Sequence, residues 1–171
     1  MRQKLGQHFL SDETALEKIA AALHAHAGET IIEIGPGHGE LTMQLVAQYP
    51  HAEIIAIEKD NELAGGLAVD IEAHIKEHSQ DVEQYAQQGA GHTQAVKQPT
   101  VIVGDARTEL KTITANLAQE HKTFRIVGNI PYYLTGTILR VIGELATLPE
   151  TVVLLVQKEV AERIVAQPPD M

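Results

Sequence analysis

The sequence predicts an α/β fold built on a parallel sheet, and two observations carry this prediction. Short β-branched runs alternate with stretches of helical periodicity, which is the order expected of parallel strands joined by crossover helices. Several of these runs are apolar at odd and even positions alike, as strands covered on both faces are. With 171 residues, of which 44% are hydrophobic, the chain has material for one packed domain, 1–171.

Each element is predicted from its own local pattern. The predicted strands are Thr30–Ile34, Ile54–Ile57, Thr100–Val103, Arg125–Val127 and Val152–Val156. Helical spacing predicts Glu40–Gln48, Thr137–Ala146 and Lys158–Ala166 as helices. Ser11 or Asp12 can cap an earlier helix, and apolar residues at every fourth position from Leu63 to Ile75 predict a helix after the second strand.

Composition excludes several classes of protein. The chain has no cysteine, so it holds no disulfide and no thiolate metal site, which suits the reducing cytoplasm as its location. No apolar run approaches the roughly 20 residues that cross a bilayer, so no membrane contact is expected. The net charge of −10 has the wrong sign for holding nucleic acid by phosphate neutralisation alone. A flexible insertion is predicted at about 79–98, where Gln, Gly, His and Ala dominate.

A glycine-rich turn follows the first predicted strand and precedes a helix. Gly35, Gly37 and Gly39 let the backbone turn tightly and let a ligand approach where a Cβ would collide. The start of the helix also offers free N–H groups. A tight turn that holds no ligand explains an isolated motif of this kind equally well. The turn alone therefore leaves ligand binding open.

Acidic residues end the next two predicted strands. Glu58 follows the glycines by about 20 residues, where a carboxylate can accept hydrogen bonds from the hydroxyls of a ribose. Asp105 ends the third strand at the same edge and could accept from an adenine amino group. Two alternatives remain open: Glu58 as a solvated residue beside Lys59 and Asp60, and Asp105 as the cap of the following helix.

The fourth strand runs into Asn129, Ile130, Pro131 and Tyr132. Together these residue types suit methyl transfer to an adenine amino group. The lone pair of an adenine N6 amine is delocalised into the ring, so a site must accept hydrogen bonds from its protons and aim the lone pair at a methyl donor. The Asn129 carboxamide oxygen and the Ile130 carbonyl are candidate acceptors. Pro131 fixes the turn, and Tyr132 or Tyr133 can stack on the base. The alternative is a rigid turn whose tyrosines close the core.

Six short motifs, in order along nearly the whole chain, resemble those of the ribosomal RNA adenine dimethyltransferases. They are Gln7-His-Phe-Leu10, Glu33-Ile-Gly-Pro-Gly37 with Gly39 and Leu41-Thr42, Glu58, Gly104-Asp105, Asn129-Ile-Pro-Tyr132 and Gln157-Lys-Glu-Val-Ala-Glu-Arg163. Six such matches in sequence order outweigh any one of them. The family often has Asn where His8 stands.

The resemblance implies a Rossmann-like S-adenosylmethionine-dependent methyltransferase fold, with the donor across the carboxyl edge of the sheet. It also implies that the chain ends before the final strands and the small C-terminal helical domain of its relatives. The donor-binding residues that it implies are Gln7, His8, Leu10, Gly35, Gly37, Glu58, Asp105 and Asn129. His8 and Leu10 would lie over the methionine end of the donor, with Phe9 helping to close the pocket.

The activity that the resemblance implies is transfer of two methyl groups to adenine N6 of ribosomal RNA, without a metal. Asn129, Ile130, Pro131 and Tyr132 would form the catalytic end of the site. The form of several motifs, including Gly6 before Gln7, resembles the group that modifies small-subunit RNA more than the erythromycin-resistance enzymes. The small ribosomal subunit is the expected partner.

Other functions compete with this interpretation. An NAD-dependent oxidoreductase would show a similar glycine turn and acid, although it does not explain the Asn-Ile-Pro-Tyr motif. A non-catalytic RNA- or ribosome-binding protein of the same fold would bind the donor without methyl transfer. His74-Ile-Lys-Glu-His78 fits a zinc-peptidase pattern, but a solvated surface helix explains it better.

Overall fold

A five-stranded parallel sheet with helices on its faces forms the fold. The computed structural model describes residues 12–77 and 96–166. The strands are β1 (Thr30–Ile34), β2 (Glu53–Glu58), β3 (Thr100–Val103), β4 (Phe124–Asn129) and β5 (Thr151–Leu155). The helices are α1 (Glu13–Ala21), α2 (Glu40–Gln48), α3 (Asn61–Glu77), α4 (Ala106–Gln119), α5 (Tyr132–Gly143) and α6 (Lys158–Val165).

The strand order within the sheet is β3-β2-β1-β4-β5, and every neighbouring pair is parallel. The chain therefore builds outward from β1 to β3 in one direction and then returns to build from β4 to β5 in the other. The order reverses between β1 and β4. In open sheets of this kind, ligands bind in the crevice outside the carboxyl ends of the strands at such a reversal.

The observed elements confirm the predicted strands to within one or two residues, and α2 has the predicted bounds. Asp12 is the cap of α1, because its side chain accepts a hydrogen bond from the Ala15 N–H. The prediction for Thr137–Ala146 is wrong at both ends. α5 begins at Tyr132, directly after Pro131, whose φ of −55° is already close to the helical value. It ends at Gly143.

Side chains of β1 pack on both faces of the sheet, which explains why this strand is apolar at both parities. Ile31 packs with apolar residues of α1 and α2, including Leu16 and Leu45. Ile32 contributes to the opposite cluster, whose other buried members include residues of α4 and α5. All five residues of β1 are buried. The polar groups at its carboxyl end are thus held on a rigid base.

Part of the predicted flexible insertion lies outside the described residues. Of the stretch 79–98, the structure describes 96–98, where Val96 packs against the cluster that contains Leu45. The Lys97 N–H donates to the carbonyl of Pro50, which ties this stretch to the loop before β2. Among the helices of 12–77 and 96–166, none is long and apolar enough to cross a membrane.

Candidate donor and methyl-transfer site

The crevice at the reversal of strand order is formed by the carboxyl ends of β1 and β4. Ile34 and Gly128 are paired across the two strands, so Gly35 and Asn129 come next to each other. A Cβ on Gly35 would lie 3.9 Å from the Asn129 carbonyl oxygen. The cleft here is lined by Leu16, Glu33, Gly35, Pro36, Glu40, Leu41 and Asn129.

The predicted glycine turn has a left-handed backbone at all three glycines. Gly35, Gly37 and Gly39 have φ values of +67°, +62° and +91°. Residues other than glycine rarely adopt such φ values, so this backbone conformation requires glycine. Gly39 is constrained a second time, because a Cβ there would collide with the side chain of Leu67. The glycines therefore fix the course of the turn. Their own N–H groups are already bonded within the fold, that of Gly35 to the Ile57 carbonyl and that of Gly39 to the Pro36 carbonyl.

Glu58 lies at the carboxyl end of β2, beside this turn. Its side chain is only 5% exposed, so the alternative of a solvated surface residue is wrong. One carboxylate oxygen, Oε2, accepts from the Gly37 N–H at 3.1 Å, and Oε1 accepts from the Asp60 N–H at 2.9 Å. The carboxylate thus has a fixed position next to the glycine turn, where a ligand's hydroxyl groups could reach it.

Asp105 lies one strand further along the same edge, because the Gly104 N–H donates to the Glu58 carbonyl at 2.8 Å. It caps α4, as the alternative prediction held, by accepting from the Arg107 N–H at 3.0 Å. The Arg107 guanidinium and the Lys59 ammonium also donate to it. The Arg107 hydrogen bonds contribute most to holding the pKa of the Asp105 carboxyl well below its usual range.

Asn129 ends β4, and the residues after it lead into α5. Ile130 is buried, whereas Tyr132 is 55% exposed and Tyr133 is 60% exposed. Their rings meet edge to face with centroids 5.8 Å apart. Because both rings are open to solvent, the alternative in which they close the core is wrong. An exposed aromatic ring beside the crevice is available to stack on a flat ligand.

Glu33 has no predicted role, although it lines the same cleft. Its carboxylate is 1% exposed and accepts a hydrogen bond from the Thr42 hydroxyl at 2.6 Å. The pKa of Glu33 is raised to about 7, chiefly by burial and in part by the nearby carboxylates of Glu40 and Glu58, while the Thr42 hydrogen bond opposes the rise. An acid inside an otherwise apolar strand was the available signal, because buried charges are rare.

The structure therefore brings together four of the predicted residues at one crevice: Gly35, Gly37, Glu58 and Asn129. Asp105 is on the adjoining strand end. Gln7, His8, Phe9 and Leu10 lie outside the described residues, as does His78 of the zinc-peptidase pattern. Within 12–77 and 96–166 there is no group of three or more metal-ligating side chains.

A family model described as "Ribosomal RNA adenine dimethylase" matches residues 1–171, the whole chain. The chain belongs to this family. The match confirms the predicted family and disfavours the NAD-dependent oxidoreductase. Membership also accounts for the arrangement at the crevice, where a glycine turn, a strand-end acid and the Asn129 segment converge.

Among curated proteins, the chain is 34% identical over 170 residues to "Ribosomal RNA small subunit methyltransferase A" of Dehalococcoides mccartyi. The alignment covers 99% of this chain and 49% of that protein. A protein of the same name from a Synechococcus species is 36% identical over 171 residues, with 97% of this chain and 53% of that protein covered. The chain thus spans about half the length of the curated relatives it matches.

Among solved structures, the crystal structure of a dimethyladenosine transferase from Plasmodium falciparum superposes with a TM-score of 0.62 at 24% identity. The superposition covers 94% of this chain and 47% of that one. At this identity the likeness speaks for the fold alone. It confirms the Rossmann-like methyltransferase fold that the resemblance implied.

Proposed function

We propose that this chain is the donor-binding part of an S-adenosylmethionine-dependent enzyme that dimethylates adenine N6 in ribosomal RNA of the small subunit. One observation carries the proposal: the segment from Asn129 to Tyr132 leaves the sheet at the reversal of strand order, beside Gly35 of the glycine turn. Family membership and the names of the relatives support it. Such an enzyme would act in the cytoplasm, where its RNA substrate lies.

The residues at the crevice fit S-adenosylmethionine. Gly35 and Gly37 offer close approach to backbone without a Cβ, and Glu58 holds a buried carboxylate that suits ribose hydroxyls. Asp105 follows the end of the adjoining strand β3, where it would be near the adenine. By the resemblance, His8 and Leu10 would lie over the methionine end, and Gln7 would also bind the donor. When bound, the donor supplies an electrophilic methyl group.

Asn129 and Ile130 would position the adenine amine. The carboxamide oxygen of Asn129 and the backbone carbonyl of Ile130 accept hydrogen bonds from the two N6 protons, which turns the nitrogen lone pair towards the methyl group. No strong base is required, because the N6 proton becomes acidic once the nitrogen has gained a methyl group, and solvent can take it. The same acceptors serve the second transfer with the one remaining proton.

Pro131 and Tyr132 would hold the base in place. Pro131 has a fixed φ close to the helical value, and α5 begins directly after it. The acceptor groups of Asn129 and Ile130 are therefore attached to the start of a helix. The exposed Tyr132 ring can stack on an adenine that has left its helix, a contact worth about 1–3 kcal/mol per base. The chain's net charge of −10 means that phosphate contacts must be local.

The test is methyl transfer from labelled S-adenosylmethionine to unmethylated small ribosomal subunits. Asn129→Ala is expected to lower the rate at least about 100-fold, the scale of losing positioning at the reacting atom. Asn116→Ala is the matched control, because Asn116 is exposed and lies about ten residues along α4 from the edge.

Full transfer by Asn129→Ala would contradict the assignment of Asn129. Donor binding by the unaltered chain with no transfer to any ribosomal particle would favour a non-catalytic ribosome-binding protein of the same fold instead. Transfer to large-subunit RNA in place of the small subunit would correct the substrate and leave the chemistry unchanged.

A further inference from the structure

The carboxylate of Asp105 is fully occupied by this chain's own N–H groups. Oδ1 accepts from the backbone N–H of Arg107 at 3.0 Å and from its Nε at 2.9 Å. Oδ2 accepts from Arg107 Nη2 at 2.6 Å and from Lys59 Nζ at 3.1 Å. A carboxylate has about four lone-pair positions, so these four donors leave none for a ligand.

The two oxygens differ in what holds them. Oδ1 carries the cap of α4, a backbone bond that the helix start fixes. Oδ2 is held only by side chains, and these are open to solvent: the Arg107 side chain is 49% exposed and that of Lys59 is 72% exposed. Exposed ion pairs are weak, so Oδ2 can be released without loss of the helix cap.

These contacts lie at the edge of the sheet where the donor would bind. Lys59 directly follows Glu58 at the end of β2, and Asp105 follows the end of β3, so the Lys59–Asp105 pair bridges the ends of two neighbouring strands. This is the adenosine end of the donor site under the proposed function, on which the inference rests. We propose that Arg107 and Lys59 form a latch that competes with the donor's adenine for Oδ2 of Asp105.

The latch predicts an unusual sign: removing a positive charge should strengthen donor binding. Arg107→Met keeps the helix-forming stem and removes the guanidinium, so S-adenosylmethionine should bind the full 171-residue chain about fivefold more tightly, the scale of an exposed ion pair. Lys59→Met should give a smaller gain of about twofold. Lys111→Met is the matched control, because Lys111 lies on the same helix in an exposed pair with Glu144. It should change nothing.

Calorimetric titration tests the latch with two ligands, S-adenosylmethionine and its analogue in which unsubstituted purine replaces adenine. The gain in Arg107→Met is expected for the adenine ligand and not for the analogue, which lacks the amino group. The ratio of the S-adenosylmethionine affinities of Arg107→Met and the unaltered chain should fall towards one at about 1 M salt, because salt screens exposed ion pairs.

Three outcomes would overturn the inference. Unchanged or weaker donor binding in Arg107→Met would show that Arg107 does not compete, while binding to the unaltered chain would leave the proposed function standing. An equal gain with the purine analogue would show that the adenine amino group does not bind Oδ2 of Asp105. Absence of donor binding in the unaltered chain and in every variant would overturn the donor site and the latch together.

Discussion

The two halves of the carboxyl edge hold their acids in opposite environments. At the β1–β4 half, Glu33 is buried with one hydroxyl partner, and its pKa is raised to about 7. At the β2–β3 half, Asp105 is paired with two cations, and its pKa is lowered. The half that would meet the reacting methyl group thus holds a buried acid, whereas the half that would meet the adenine holds an acid paired with exposed cations.

A position at a strand end therefore does not determine whether the pKa of an acid is raised or lowered. Glu33 belongs to a strand buried on both faces, so desolvation decides its charge state. Asp105 begins a helix at the surface, where N–H groups and cations reach it from several sides. Substitutions in the first half should therefore change stability strongly, and substitutions in the second half should change ligand binding more than stability.

Glu33→Gln is expected to give the largest change in stability. Because folding raises the pKa of Glu33 from 4.5 to about 7, the folded state keeps a proton that the unfolded chain has lost. Stability therefore falls as pH rises from about 4.5 to about 7, by about 3 kcal/mol in all. Glu33→Gln removes this loss, so the variant should be more stable than the unaltered chain at pH 8.

Urea unfolding at pH 5 and pH 8 measures this effect. The unaltered chain should lose stability between the two conditions by more than the variant does, and the two proteins should be similar at pH 5. A pH dependence that is the same in both would mean that Glu33 does not retain its proton in the folded protein.

Gly128→Ala should disturb the β1–β4 half by steric collision. A Cβ at this position would lie 2.8 Å from the Ile34 carbonyl oxygen, which is backbone of the neighbouring strand and cannot swing aside. We expect a loss of about 2 kcal/mol in the free energy of unfolding. Gly136→Ala in α5 is the control, because a Cβ there meets nothing within 4 Å, and it should be neutral or slightly stabilising. Equal effects of the two substitutions would refute the collision.

Thr42→Val tests the hydrogen bond between Thr42 and Glu33, because it removes the hydroxyl and keeps the shape of the side chain. Loss of this hydrogen bond should cost about 1–2 kcal/mol at pH 8, where Glu33 is ionised, and less at pH 5. Thermal and urea unfolding of the single and double variants with Glu33→Gln form a thermodynamic cycle. Additive effects at pH 8 would show that the two side chains do not interact.

Asp105→Asn should have the smallest effect on stability, under about 1 kcal/mol at pH 7, because its cationic partners are exposed. A lowered pKa contributes stability that is present above the unfolded value of 3.8 and is lost as pH falls below it. The difference between the two proteins should therefore shrink as pH falls below 3.8 and vanish only below the folded pKa, which lies well under that value. A loss as large as that for Gly128→Ala would place Asp105 in the structural part of the edge.

Much of the fold was predictable, because strands buried on both faces have an unmistakable apolar pattern. The start of α5 was missed, since Tyr132 and Tyr133 are exposed and lack the apolar spacing that marked Thr137 onwards. Of the site, the glycine turn, Glu58 and Asn129 were predicted from motif spacing. The Thr42–Glu33 bond and the latch at Asp105 were not, because spacing along the chain does not reveal which side chains meet.

Calorimetric titration of the 171-residue chain with S-adenosylmethionine, with NADH as the control ligand, decides whether the carboxyl edge of the sheet holds a methyl-donor site. We predict saturable binding of S-adenosylmethionine alone, weakened at least about tenfold by Glu58→Gln, which removes a charged hydrogen-bond acceptor. Binding of NADH alone, or of neither ligand, would contradict a methyl-donor site at the carboxyl edge of this sheet.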